Sequence, residues 1–162
     1  MGHRTPLPLI GLGFSLAISG CSATTNEAAP SVRQFLLAVE SGDDVVLDSK
    51  IDRQQLKIQV LNQAKSKNLD ASGLGSAFDY IYSDRMIRIT AMIGGLKSDT
   101  KIPSEQKLSR YLIKIDSNTV CLPLRRKANC YLRFSRGAGT WRLSGMAGDF
   151  SGIGSMLTEI ES

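Results

Sequence analysis

The apolar positions of the chain are spaced in two different ways. From about residue 31 to residue 95 they recur every three or four residues, which is the period of an amphipathic helix. Ser31 and Gln34 form a capping-box pair at the start of this region, and Gly42 provides a stop. A short helical or turn segment is predicted for 43–51, and further helices are predicted from Asp52 onward and from about Leu74 to Gly94 with a break near Ser83.

After a polar loop, "LKSDTKIPSEQ", the period changes to two, which is typical of strands with one buried face. We predict four antiparallel strands over about residues 109–147, joined by turns at "SN", "RRKA" and "RGAG", and then a flexible tail over 148–162 with a short terminal amphipathic turn. The residues predicted to face inward are, strand by strand, Tyr111, Ile113 and Ile115; Val120, Leu122 and Leu124; Cys130, Leu132 and Phe134; and Trp141, Leu143 and Met146.

Helices followed by an antiparallel meander predict an α+β fold, in which N-terminal helices pack on a curved four-stranded antiparallel sheet. The order is similar to the cone-like nuclear-transport-factor-two-like and cystatin-like folds, in which a helix packs into a curved sheet. In addition, "FLLAVESGDDVVLDSKIDRQQLKIQVLNQ" and "GTWRLSGM" resemble the opening and final segments of an uncharacterised bacterial domain-of-unknown-function family. These resemblances imply a fold and name no activity.

The first 20 residues have a different character. The apolar run from Leu7 to Ile18 is shorter than the roughly 20 residues that a membrane-spanning helix needs. It follows Arg4 and ends in "ISGC", which resembles the lipobox of bacterial lipoprotein precursors. The resemblance implies that residues 1–20 are a signal peptide and that Cys21 is lipidated. The alternative is an ordinary secretory signal with an incidental cysteine.

The lipobox also implies a location outside the cytosol. Ser22 stands where lipoproteins retained in the inner membrane carry an aspartate, so the expected location is the outer membrane of a Gram-negative bacterium, facing the periplasm. The small polar residues after Cys21 predict a flexible tether over residues 21–30. Residues 31–162 are long enough for one domain with its own core.

The mature chain lacks the residues that many active sites require. His3 is the only histidine and lies in the predicted signal peptide, which excludes a histidine base, a histidine metal ligand and a histidine-containing triad. The two remaining cysteines, Cys121 and Cys130, are too few for a structural zinc site. We therefore predict no enzymatic activity, no metal and no cofactor.

Export to an oxidising compartment favours a disulfide between Cys121 and Cys130. However, pairing Val120 with Leu132 would point the two cysteines to opposite faces of the sheet. A bulge near Pro123 would reconcile the register with a bond, because proline within sheets is confined to edges, strand starts and bulges. Two unpaired thiols on neighbouring strands are the alternative.

Positive charge is concentrated in the predicted sheet. Residues 107–142 hold nine basic side chains against Asp116 alone. Such a surface attracts polyanions, which in the periplasm include anionic lipid, lipopolysaccharide phosphate, peptidoglycan carboxylates and acidic proteins. The alternative is that these are solvated outer strand faces, where lysine and arginine discourage edge pairing. The candidate anion-binding residues are Arg125, Arg126, Lys127, Arg133, Arg136 and Arg142.

Together these features predict a membrane-anchored, non-catalytic binding or accessory lipoprotein of the cell envelope. Its expected partners are the bilayer, through acylated Cys21, and an anionic envelope component or acidic protein, but not nucleic acid. One alternative is an enzyme or small-ligand carrier with a deep polar pocket in the cone, and Asp79, Tyr111 or Arg142 near its mouth. Another is a structural subunit of an envelope complex, which would expose an apolar patch of several hundred square ångströms.

Overall fold

The computed structural model describes residues 20–125 and 129–162. These residues form seven α-helices, a short 3-10 helix at Phe150–Gly152 and one curved four-stranded antiparallel sheet, which confirms the predicted α+β class. The helices are α1 (Gly20–Ser41), α2 (Asp44–Ser49), α3 (Arg53–Ser66), α4 (Ala71–Ile81), α5 (Asp84–Ile93), α6 (Glu105–Tyr111) and α7 (Ile153–Glu161). The strands are β1 (Ile113–Asp116), β2 (Thr119–Pro123), β3 (Cys130–Gly137) and β4 (Thr140–Met146).

Polar capping residues begin helices α2 to α5. The side chains of Asp43, Asp52, Asp70 and Ser83 accept hydrogen bonds from backbone N–H groups in the first turns of α2, α3, α4 and α5. The helix start at Asp52 and the break near Ser83 are confirmed. Gly42 follows the end of α1 with φ of +76°, a conformation that favours glycine.

Helix α1 is longer than predicted, and the expected flexible tether over 21–30 is wrong. The helix begins at Gly20, continues through Pro30 and packs along α6, so the predicted start at Ser31 is also wrong. The small side chains that resemble a linker in the sequence instead allow the helix to lie close to its neighbours. Four of them are buried: Thr24, Thr25, Ala28 and Ala29.

The strands form a meander in the order β1, β2, β3, β4, as predicted. Helix α1 covers the inner face of the sheet, where Phe35 packs edge-on against Phe134 with 5.5 Å between ring centroids. Phe150 lies on the other side of Phe35, at 6.1 Å. The inner face is therefore filled. Its predicted residues Val120, Leu122, Leu132, Phe134, Trp141, Leu143 and Met146 are all buried.

Strand β1 departs from the prediction. Ile113 and Ile115 are 41% and 51% exposed, so their predicted inward orientation is wrong. Tyr111 belongs to α6. The physical reason is that Ser104 caps helix α6, in which Leu108 is buried, and Leu112 at the end of this helix is buried as well. Strand β1 therefore begins only after Leu112, at Ile113.

The C-terminal segment is packed, so the predicted flexible tail is wrong. Gly94 and Gly154 let the end of α5 approach the start of α7, and the Gly154 backbone N–H donates to the Gly94 carbonyl over 3.0 Å. Instead of the predicted short terminal turn, the chain forms helix α7. Its buried residues are Ile153, Gly154, Met156, Leu157 and Ile160.

Residues 50–52 pair with the free edge of β4 and direct α3 onto the outer side of the sheet. Leu143 donates to the Lys50 carbonyl and accepts from the Asp52 N–H, both over 2.8 Å. Asp52 then caps α3, which runs beside β4. None of the helices in the described ranges combines the length and hydrophobicity of a membrane-spanning segment.

Candidate functional site: a polar groove on the outer face of the sheet

A groove separates one side of α3 from the outer face of β3 and β4. Residues three and four apart share one side of a helix, and outer-face residues alternate with core residues along a strand. The groove is open to solvent and has a volume of about 450 Å³. We call it the α3 groove; it is lined by Gln55, Ile58, Gln59, Asn62, Gln63 and Ser66 of α3 and by Arg133, Ser135 and Ser144 of the sheet.

Gln59 holds α3 at a fixed distance from the sheet. Its side-chain carbonyl Oε1 accepts a hydrogen bond from the Met146 backbone N–H over 3.0 Å. Gly145 makes this approach possible, because a Cβ atom there would lie only 3.1 Å from the Gln59 side chain. The groove is therefore preformed, with one glutamine serving as its spacer.

Two serine hydroxyls form part of the sheet side of the groove. The register of β3 and β4 shifts between Arg133 and Phe134, which makes Ser144 an additional residue in a β-bulge. Its Oγ lies 2.7 Å from the Oγ of Ser135. The two hydroxyls thus satisfy one another.

Arg133 supplies the positive charge of the groove. Its side chain is exposed on the outer face of β3, and its guanidinium forms neither a hydrogen bond nor an ion pair with any residue that the structure describes. No lining residue is acidic. Because a guanidinium is a planar fork that binds carboxylate or phosphate through two parallel hydrogen bonds, this site is suited to an anionic group.

The predicted disulfide lies beside the groove. Cys121 and Cys130 are bonded, with Cα atoms 5.5 Å apart, so the alternative of two free thiols is wrong. Cys130 and Tyr131 line a smaller cleft that also includes Gln59 and Arg133. The bridge therefore joins β2 to β3 next to the cationic side chain.

The predicted bulge explains how the bridge forms. Leu122 pairs with Leu132, but Pro123 pairs with Cys130, so the register shifts at the proline as expected. The shift turns Cys130 toward the outer face, where Cys121 also points, so the predicted inward orientation of Cys130 is wrong. The expected pairing of Val120 with Leu132 is wrong by two residues, since Val120 pairs with Phe134. A two-residue shift keeps the same side chains inside.

The predicted basic residues that the structure describes do not all lie on one face of the sheet. Arg126 and Lys127 lie outside the described residues. Arg125 is exposed just after β2. Arg142 is exposed directly across from Ser135 in the register, so it adds positive charge near the groove.

Arg136 lies on the opposite face from Arg133 and is already paired. Its Nη1 is 2.7 Å from Oε2 of Glu27 on α1, and its guanidinium lies 5.7 Å from the centroid of the Trp141 ring. It therefore ties the β3–β4 hairpin to α1 and leaves Arg133 and Arg142 as the basic pair on the outer face.

The residues proposed for a cavity in the cone lie on separate elements. Asp79 is exposed on α4, and Arg142 is exposed on β4. Tyr111 lines a different cleft, between α6 and α7, with Lys107 and Arg110. Within the described ranges, no cluster of three histidine, cysteine, aspartate or glutamate side chains is placed to hold a metal ion.

Sequence analysis missed the uncharged side of α3. Gln55, Gln59, Asn62, Gln63 and Ser66 recur at spacings of three, four, seven and eight residues, which places them together on one side of the helix. The sequence signal for this side was that all five positions are polar and none of them is charged. Such a side needs no salt bridge and can face another polar surface.

Cys21 lies in the first turn of α1, and the structure does not describe its side chain. Its lipidation stays a prediction from the "ISGC" sequence. Comparisons with protein-family models, with curated proteins and with solved structures give no match for this chain.

Proposed function

We propose that this protein is a lipid-anchored, non-catalytic binding module of the bacterial cell envelope. Its domain faces the periplasm, and the α3 groove binds an anionic group of an envelope component. The observation that carries this proposal is the unpaired Arg133 guanidinium in a groove of neutral polar side chains. A binding site keeps such a cation available for its ligand.

The composition of the groove favours binding over catalysis. Its lining contains no carboxylate, histidine or thiol, which are the common general acids and bases. Ser135 and Ser144 hydrogen-bond to each other, so neither has a base positioned to activate it as a nucleophile. The inner face of the sheet supports the same proposal, because Phe35, Phe134 and Phe150 pack together, in the described part of the chain, where the predicted cone cavity would lie.

Two features support the proposed compartment. The first is the "ISGC" sequence ahead of Ser22, which resembles a lipobox. The second is the Cys121–Cys130 bridge, since disulfides form and persist outside the reducing cytosol.

Metabolic labelling with an alkyne fatty acid tests the anchor. We expect the native protein to incorporate label and to sediment with outer membranes, whereas Cys21→Ala is unlabelled and is released from the membrane fraction. Cys121→Ala is the matched control and should still be labelled. An unlabelled native protein, or membrane retention of Cys21→Ala, would contradict the anchor.

Sedimentation with isolated envelope material tests the groove. Loss of a hydrogen bond to a charged group costs about 1.5–3 kcal/mol, so Arg133→Gln should weaken binding about tenfold or more. Arg110→Gln is the matched control, because it removes the same charge from an exposed position on α6. Equal losses in both variants would show a non-specific charge effect and refute a specific site.

A second candidate function, a structural subunit of an envelope complex, is favoured by the outer side of α5. Met92 and Ile93 are 65% and 77% exposed there, and Val45 of the neighbouring α2 is 83% exposed. Contiguous apolar patches mark protein interaction sites, and a structural subunit would use these exposed side chains in such a patch. Met92→Lys should then reduce crosslinking to envelope proteins while leaving ligand binding in the α3 groove unchanged.

A further inference from the structure

We infer that the α3 groove binds an extended peptide segment of about five residues, with a carboxylate of that peptide held by Arg133. This inference deepens the proposed function by naming the class of ligand, and it does not depend on the lipid anchor.

The length of the groove suits a short extended chain. Its α3 side runs from Gln55 to Ser66, which at about 1.5 Å per residue corresponds to about 16 Å along the helix axis. An extended peptide rises about 3.3 Å per residue, so about five residues span this distance.

The amide side chains require a ligand that both donates and accepts hydrogen bonds. Gln55, Asn62 and Gln63 each offer an NH₂ donor and a carbonyl acceptor, and none of these side-chain groups is hydrogen-bonded to a residue that the structure describes. A phosphate or another fully ionised group only accepts, so the amide oxygens would oppose it. A peptide backbone alternates N–H and C=O groups and satisfies both.

The remaining lining residues favour a peptide over a saccharide. No aromatic ring lines the α3 groove, whereas pockets for small molecules are lined predominantly by hydrophobic and aromatic side chains. The one apolar lining residue, Ile58, is 46% exposed and can contact a small aliphatic side chain of a peptide. Arg133, the only charged lining residue, then receives a single carboxylate.

The bound state requires little rearrangement of the protein. Gln59 already fixes the width of the groove through Met146, and Ser135 and Ser144 already satisfy one another. A preorganised site loses less binding energy to ordering of side chains. The free amides and Arg133 are therefore the groups expected to respond to a ligand.

Titration of the ¹⁵N-labelled protein followed by NMR tests the inference. The probes are an N-acetylated pentapeptide of alternating alanine and glycine with a free carboxylate, the same peptide with a terminal carboxamide, acetate, and an N-acetylglucosamine pentamer. We expect the acid peptide to shift the side-chain amide signals of Gln55, Asn62 and Gln63. The carboxamide peptide should bind at least about tenfold more weakly, since it loses a charge-assisted hydrogen bond.

Variants separate this inference from the proposed function. Arg133→Gln should abolish the preference for the acid peptide, and Asn62→Leu should weaken both peptides without affecting acetate. Arg110→Gln should change neither. If acetate binds at Arg133 as tightly as the acid peptide and the amide signals do not move, the proposed binding of an anionic group is supported and the assignment of a peptide ligand is refuted. Tighter binding of the saccharide would also overturn the assignment, and absence of any Arg133-dependent binding would overturn both.

Discussion

Tyr131 connects the sheet to the C-terminal segment through a buried hydroxyl. The residue is 5% exposed, and its OH donates to the Asp149 carbonyl over 2.6 Å. Burial is the main reason that the pKa of Tyr131 rises to about 12, and the nearby Asp149 carboxylate adds to the effect. The folded protein therefore favours the neutral, protonated form of the Tyr131 side chain.

This pKa predicts a loss of stability at alkaline pH. Above the ordinary tyrosine value of 10.0 the unfolded chain loses its proton while the folded protein keeps it, so the free energy of unfolding falls as the pH rises from 10 to about 12. The loss across this window should be about 2 kcal/mol, because the slope reaches its full value of about 1.4 kcal/mol per pH unit only midway between the two pKa values. Urea unfolding across this window measures it.

The matched variants are Tyr131→Phe and Tyr80→Phe. Tyr131→Phe should be less stable near neutral pH, because it loses the bond to Asp149, and should show a flatter decline above pH 10. Tyr80 is 73% exposed, so its variant should keep the native slope. An unchanged slope in Tyr131→Phe would contradict the assignment.

Individual residues were predictable from the sequence when their role depends on near neighbours. Asp52 and Ser83 cap helices because their side chains reach backbone N–H groups three residues ahead. Pro123 favoured a bulge in β2, and that bulge pairs it with Cys130, although the predicted strand register was wrong by two residues. The unpaired state of Arg133 was not foreseeable, because it depends on the neutral side of α3 that faces it across the groove.

At the scale of elements, the N-terminal ten residues of α1 belong to the domain. Thr24, Thr25, Ala28 and Ala29 are buried, and Glu27 reaches Arg136. A chain shortened to begin at Ser31 loses this burial against the rest of the domain and should be less stable than one that begins at Ser22. Chemical denaturation of the two chains measures the difference.

Charge and burial contribute separately to that difference. Glu27→Gln in the longer chain removes only the partly exposed ion pair and should cost less than about 1 kcal/mol. Equal stability of the long and short chains would mean that residues 22–30 act as a spacer after all.

The contact between α5 and α7 depends on two glycines. A Cβ atom on Gly154 would lie 2.4 Å from the Gly94 carbonyl oxygen, so Gly154→Ala must push the two backbones apart. Overpacking of this kind costs about 1–3 kcal/mol. Gly137→Ala is the matched control, since nothing lies within 4 Å of the added methyl group. Thermal unfolding should show a clear decrease for Gly154→Ala and little change for Gly137→Ala.

The elements that sequence analysis misassigned share one property. Residues 22–30 and 148–162 are rich in small residues, which in isolation resemble linkers. In the fold, small residues are the ones that allow close approach, of α1 to α6 and of α5 to α7. β1 was misassigned for a related reason, because Leu108 and Leu112 fit both periods and tertiary packing selected the helix.

For the whole molecule, the length of α1 changes the meaning of the proposed anchor. Only Ser22 and Ala23 separate Cys21 from Thr24, whose side chain is buried. The ion pair between Glu27 and Arg136 places this end of α1 beside the β3–β4 hairpin. Glu27 lies six residues from Cys21, or about 9 Å along the axis. A lipid on Cys21 would therefore hold the hairpin end of the sheet close to the bilayer.

This geometry predicts a fixed orientation on the membrane, which fluorophores at the two ends of the domain can detect. Ser117 lies in the turn between β1 and β2, and the Arg136 N–H donates to the neighbouring Asn118, so this turn is at the hairpin end. Ser66 ends α3, which runs past Met146 at the opposite end of β4.

In vesicles with acceptor-labelled headgroups, a donor on Ser117→Cys should therefore transfer energy much more efficiently than one on Ser66→Cys. The same labels on Cys21→Ala protein should show little transfer. Similar energy transfer from both positions of the lipidated protein would mean that the domain tumbles freely on a spacer. That result would contradict the fixed orientation, even if Cys21 is lipidated.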